Sequence, residues 1–170
     1  MKEYHKIQGL FKRGGKQNKF IEGEWSLPEF KYLAGLDWFW TEKVDGTNMR
    51  VMFDGETVRF GGKTDRAQLH ADLIVSMTSM FPAEKMTALF PETFDSESGV
   101  CLYGEGYGAG IQKGMNYRKD KSFVLFDVKV GPWWLMREDV EQIASDLEID
   151  VVPHVDTCPI LPMLNYVREG

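Results

Sequence analysis

Apolar positions change their period along the chain, and the changes mark out its elements. Trp38 to Val44 reads as a strand. Asn48 to Phe53 and Thr57 to Phe60 read as two more, joined at Asp54-Gly55, a dipeptide suited to a tight hairpin turn. From Gln68 to Met80 the spacing of Leu69, Leu73, Val75, Met77 and Met80 is roughly helical. Pro82 is placed to open a second short helix ending near Phe90. Val100 to Gly104 is strand-like, and Phe123 to Val130 is an almost continuous apolar run. Trp133 to Met136 follows as its hairpin partner, turning at Gly131-Pro132. Arg137 to Leu147 reads as a helix, and Pro162 to Arg168 as the start of another. Residues 1–20 are polar and basic, a loop or arm with Ile7, Leu10 and Phe11 as possible anchors. Residues 105–122 are rich in glycine and show no period, so they read as a long loop of the kind that carries function or is disordered.

Strands, then helices, then strands, then a helix, with mostly short strand connections, predict antiparallel pairing. The expected class is therefore α+β, mostly antiparallel sheets with flanking helices, in one domain covering residues 1–170. An apolar share of 43% suits a chain that builds a real core. The net charge of −6 excludes a polybasic coat, though not a local patch. Lys12, Arg13, Lys16 and Lys19 form one basic cluster, and Lys113, Arg118, Lys119 and Lys121 another. Such clusters are usually solvated faces. Two cysteines without a CxxC pair argue against a zinc site or disulfide framework. The three histidines, His5, His70 and His154, are scattered and do not suggest a metal site or triad. The start does not resemble a signal peptide and no apolar run is long enough for a bilayer, so a cytoplasmic setting is expected.

Two glycine-rich stretches imitate phosphate-binding loops and fail on context. Gly61-Gly62-Lys63-Thr64 resembles the end of a P-loop, but position 57 is Thr57 where that loop needs glycine. Gly104 to Gly110 resembles a dinucleotide loop, but Glu105 would set a carboxylate against a pyrophosphate, and no apolar helix follows.

Lys43 is the more informative position. A lysine is a covalent nucleophile only when its surroundings release the amine from protonation, since a free lysine titrates near ~10.4. A strand end would hold it steadily, and Asp45-Gly46 would turn the chain with little bulk and let a substrate approach the backbone. On these four residues alone, a surface lysine in an Asp-Gly turn explains the pattern equally well.

The remaining motifs shift that balance. Lys43-Val44-Asp45-Gly46 resembles motif I of the covalent nucleotidyltransferases, which include RNA ligases, DNA ligases and mRNA capping enzymes. Leu102-Tyr103-Gly104-Glu105 resembles their motif III, and Phe123 to Val128 their motif IIIa. Thr41 to Asn48, Gly108-Ala109-Gly110-Ile111-Gln112-Lys113 and Phe123 to Val128 together are most similar to the phage RNA ligase 2 type. The resemblance covers about residues 38 to 130.

What it implies is a nucleotidyltransferase (ATP-grasp-like) adenylation domain using ATP and Mg2+. Such a domain forms a lysyl-AMP intermediate before an RNA 5′-phosphate is joined to a 3′-hydroxyl. Lys43 would be the nucleophile and Glu42 would line the purine pocket. Asp45 and Gly46 would present the lysine, and Asn48 would orient the triphosphate. Glu105 would take a ribose hydroxyl. Phe126 best matches the base-stacking aromatic; Phe123, on the opposite face of a strand, is the lesser candidate. Lys113 is another lesser candidate. Where the family usually has an arginine after the hairpin, Lys63 stands here with Arg66 close by, so either would reach a phosphate. Metal ligands are not assigned by the resemblance. Family motif IV, of the type Glu-Gly-x-Val-x-Lys, and motif V have no counterpart, since Glu169-Gly170 follows a helical stretch. The expectation is a chain that stops before motif IV. A DNA ligase or capping-type enzyme remains the near alternative. A non-catalytic nucleotide- or RNA-binding module is the alternative of another class.

Overall fold

The computed structural model describes residues 3–91, 99–112 and 117–169. In chain order its elements begin with β1 (Phe11–Gly14), β2 (Lys19–Trp25), α1 (Pro28–Leu33), β3 (Trp38–Thr41), β4 (Thr47–Phe53) and β5 (Val58–Gly62). Two helices follow, α2 (Ala71–Met80) and α3 (Ala83–Leu89), then β6 (Val100–Gly108), β7 (Lys121–Val130) and β8 (Trp133–Trp134). The last are α4 (Arg137–Leu147), β9 (Asp150–Val151), β10 (His154–Cys158) and α5 (Ile160–Glu169). These elements fall into two compact units. One holds Tyr4 and Lys43–Val152, the other His5–Glu42 and the chain from Pro153 on.

The first unit is organised by one mixed sheet in the order β5-β4-β6-β7-β8, with β9 added parallel to β7. All other pairings in it are antiparallel. Along β4 Met49, Val51 and Phe53 are completely buried on one face. Leu73 and Met77 of α2, Met86 of α3, and Val140, Ile143, Ala144 and Leu147 of α4 join the same core. Each of these side chains other than Ala144 contributes about 1.5–3 kcal/mol by leaving water. Helix α4 shows why it forms where it does. Its apolar residues recur at helical spacing, Glu138 and Asp139 sit in the first turn, and Glu148 closes it in the left-handed conformation at φ 58°.

Strand β6 differs from the sequence reading. It runs on through Glu105 to Gly108, where a loop was expected. Its glycines relieve crowding. A Cβ on Gly104 would lie 2.1 Å from Phe123 Cζ, and one on Gly106 2.4 Å from Leu73 Cδ2. They lie on the face pressed by the core, so a strand here looks like a loop in sequence.

The second unit contains two antiparallel pairs, β1-β2 and β3-β10. The expected N-terminal arm is in part the β1-β2 hairpin, closed by Phe11 against Trp25 at 5.0 Å and by Arg13 over Phe20 at 4.0 Å. Strand β3 ends at Thr41, short of the expected Val44. The Trp40 indole donates to the Cys158 carbonyl at 2.8 Å, and the Trp38 indole to Leu33 at 3.0 Å. Helix α5 starts at Ile160, so Pro162 lies in its first turn, where a missing N–H leaves no helical bond unmade. No helix among the described residues is long and apolar enough to cross a membrane.

Candidate active site

The Lys43 turn is located by the residue between its two charges. Val44 is buried with Tyr107, Val124 and Val152, with Phe126 against the cluster, while Lys43 and Asp45 are exposed on either side. One small apolar plug thus holds the turn on the sheet while both charged side chains face outward.

Hydrogen bonds then grip the turn. Glu105 lies against it from β6. Gln112 Nε2 donates to the Gly46 carbonyl at 2.8 Å, and the Asp45 N–H donates to the Tyr117 hydroxyl at 3.3 Å. A Cβ on Gly46 would sit 2.3 Å from the Gly106 carbonyl oxygen and 2.8 Å from Glu105 Cγ. Glycine is required at 46 because β6 comes so close. Room for a substrate, the reason expected from sequence, is not what the contact shows.

Glu105 and Asn48 are register partners on β6 and β4, so their side chains share a face. Burial pushes the Glu105 carboxyl up to about 7; the Asp45 charge acts in the same direction, while Lys43 and the Gly46 N–H oppose it. Asn48 Oδ1 is buried and has no hydrogen-bond partner among the described residues. An unmet polar atom of this kind costs about 1–3 kcal/mol, which a polar ligand would relieve; rotating the amide presents its donor at the same place.

Phe126 lies at a break in the ladder. Tyr103 pairs with Asp127 and Gly104 with Leu125, leaving Phe126 as the extra residue of a bulge. Its ring meets Tyr4 edge-on at 5.1 Å, and the Tyr4 hydroxyl donates to Asp127. Tyr4 also packs against Tyr103 at 5.1 Å and Trp134 at 5.6 Å. Phe123 is a correction. It is completely buried in the main core, edge-on to Phe81 at 5.4 Å, and so is a packing residue with no access to a base.

Lys63 and Arg66 are both exposed just after β5. Gly62 pairs with Met49, so Lys63 leaves the strand beside Asn48. Glu42 ends the second unit's stretch before Lys43, and its N–H donates to the Pro153 carbonyl at 3.0 Å. Lys113 lies outside the described residues. Arg118 ties down the end of the glycine-rich segment, pairing with Asp120 at 2.8 Å and with Asp150 at 3.0 Å.

Sequence reasoning missed Tyr4, Arg50, Gln112 and Tyr117. Gln112 alone had a local signal, the Gly-Ile-Gln-Lys stretch; the others act through contacts distant in sequence. No group of three or more potential ligands among the described residues is placed to hold a metal.

No curated protein matches the sequence. Among solved structures the chain is similar to Naegleria gruberi RNA ligase with pyrophosphate, at a TM-score of 0.64 and 20% identity, covering 78% of this chain and 40% of that one. Two point variants of the same ligase, each with ATP and manganese, are also similar. One has a TM-score of 0.65 at 17% identity over 91% of this chain and 45% of that one. The other has 0.64 at 18% identity over 93% and 46%. The chain thus spans less than half the length of these proteins. The RNA ligase family itself matches residues 36–168, most of the sequence, and the chain belongs to that family.

Proposed function

We propose that these residues form part of the adenylation domain of an ATP-dependent RNA ligase, with Lys43 as the nucleophile. The observation that carries the reading is the Lys43 turn, bonded by Gln112 and Tyr117, plugged by Val44, and set against Glu105 beside Asn48 and Phe126. Family membership and the ATP-bound and pyrophosphate-bound relatives support it.

The Lys43 amine, having lost a proton to solvent, attacks the α-phosphorus of ATP. An N–P bond forms, the P–O bond to the β-phosphate breaks, and pyrophosphate leaves with the electron pair. An RNA 5′-phosphate oxygen then attacks the same phosphorus, breaking the N–P bond and restoring Lys43. Finally an RNA 3′-hydroxyl attacks the activated 5′-phosphate and AMP departs. In this reading Glu105 accepts a ribose hydroxyl, Phe126 stacks on the purine, Asn48 answers a phosphate, and Lys63, with Arg66 near it, adds positive charge. Glu42 lines the base by its place next to Lys43. The described residues do not build a cation cage of their own, and Mg2+ is commonly held by one or two carboxylates together with substrate phosphates.

Incubation with α-labelled ATP and a divalent cation tests the proposal. Label should stay on the denatured protein and be absent from Lys43→Ala. Equal labelling of that variant, or nucleotide binding without transfer by the protein in its full reading frame, overturns it. Preference for GTP would point instead to capping chemistry.

A further inference from the structure

Arg50 is completely buried, on the face of β4 that carries Asn48, two residues further along the strand. Its Nε donates to the Gly62 carbonyl at 2.9 Å, and its terminal nitrogen pairs with Asp65 Oδ1 at 2.7 Å. Gly61 leaves the guanidinium just enough room, since a Cβ there would lie 3.1 Å from the same nitrogen. The Arg50 hydrogen bond also holds the Asp65 carboxyl below its ordinary range, although that side chain is 82% exposed. A buried guanidinium is costly unless well paired. The β4-β5 ladder already sets the hairpin register without it.

What the bracket adds is control of two residues. Gly62 and Asp65 are fixed from one buried point, and Lys63 and Thr64 lie between them. A second bond, Ala67 N–H to the Thr64 carbonyl at 3.1 Å, tightens the same turn. Lysine is a flexible point charge without the planar fork by which arginine orients itself on a phosphate. A lysine at this place therefore depends on its backbone being held.

We propose that Arg50 is a positioning residue that, through Gly62 and Asp65, sets Lys63 to meet a nucleotide phosphate. The inference rests on the nucleotide-transfer reading above. Arg50 itself does not touch the nucleotide.

The test compares ATP with adenosine, which lacks phosphate, in equilibrium binding to the full protein. Asp65→Ala is the main variant, because Asp65 itself is at the surface; it takes a partner from the buried Arg50 guanidinium, so urea unfolding is read beside binding and affinities are compared for folded protein. Arg50→Lys is the second. Each should weaken ATP binding about tenfold, the scale of one charge-assisted hydrogen bond, and leave adenosine within twofold. In a Lys63→Ala background, Asp65→Ala should weaken ATP no further. A purely structural bracket would shift ATP and adenosine alike, or add to Lys63→Ala, and either result overturns the proposal. So does an unchanged ATP affinity in Asp65→Ala when the unmodified protein binds ATP well above adenosine; the nucleotide-transfer reading survives that outcome. An unmodified protein that binds neither overturns both.

Discussion

Glu105 is packed against Gly46, where an added Cβ would lie 2.8 Å from its Cγ, so the turn after Lys43 abuts an acid that burial pushes up to about 7. That shift has a pH consequence of definite sign. Between the ordinary value of 4.5 and about 7, the native protein holds a proton that the unfolded chain has released. Stability from this group therefore falls as pH rises through that window. Glu105→Gln removes the term. Above pH 7 it should be the more stable protein by about 1 kcal/mol, after discounting for the partial exposure of Glu105, or about 2–4 °C in melting temperature. The gap should close as pH falls toward 4.5. Melting curves of both proteins across this range check it; a gap that widens at low pH refutes the assignment.

Gly46→Ala should be harmful to both fold and chemistry. The new methyl would meet the Gly106 carbonyl oxygen at 2.3 Å, a backbone atom that cannot rotate away. Overpacking of this kind costs about 1–3 kcal/mol. Because the displaced segment carries Lys43, covalent labelling should drop far more than the loss of folded protein accounts for. Labelling that merely tracks the folded fraction would show that the turn has slack.

These two sites illustrate what was legible beforehand. The Lys43 to Asn48 segment is local in the chain, and so are the alternation of Met49, Val51 and Phe53 and the helical spacing of Val140, Ile143 and Leu147. Each could be read without knowing its partners. The course of β6 could not, because glycines at 104 and 106 are explained only by Phe123 and Leu73 pressing from elsewhere. Alternation placed Phe123 and Phe126 on opposite faces. It did not say which face was core, nor that a bulge in the ladder falls at Phe126. Tyr4, which meets Phe126 and Asp127 from more than a hundred residues away, has no sequence signal at all.

Phe123→Ala and Phe126→Ala should separate packing from binding. Phe123 has no exposure, and its truncation should cost about 3–5 kcal/mol of stability. Phe126 is only partly buried against the Val44 cluster, so its removal should be much cheaper to the fold. Nucleotide affinity should move the other way, with Phe126→Ala losing about 1–3 kcal/mol of base stacking. Urea unfolding and nucleotide titration of both variants give the four numbers. Equal affinity loss in both would remove the stacking role from Phe126.

Val44→Ala tests whether the plug, rather than the charges around it, places the nucleophile. Val44 is 6% exposed and packs with Tyr107, Val124 and Val152. Losing two methyl groups there costs about 1.6 kcal/mol at roughly 0.8 kcal/mol each, which the fold should survive. The direct hydrogen bonds to Asp45 and Gly46 remain, and so does every side chain proposed to touch ATP. Nucleotide affinity should therefore stay within about threefold, since the binding surface is intact. The rate of transfer should fall by about 10–100-fold, because an error on the order of 1 Å in the attacking atom is enough for that. Single-turnover labelling at saturating ATP, beside a binding isotherm, separates the two quantities. If affinity falls while the saturated rate holds, Val44 shapes the pocket and does not aim Lys43.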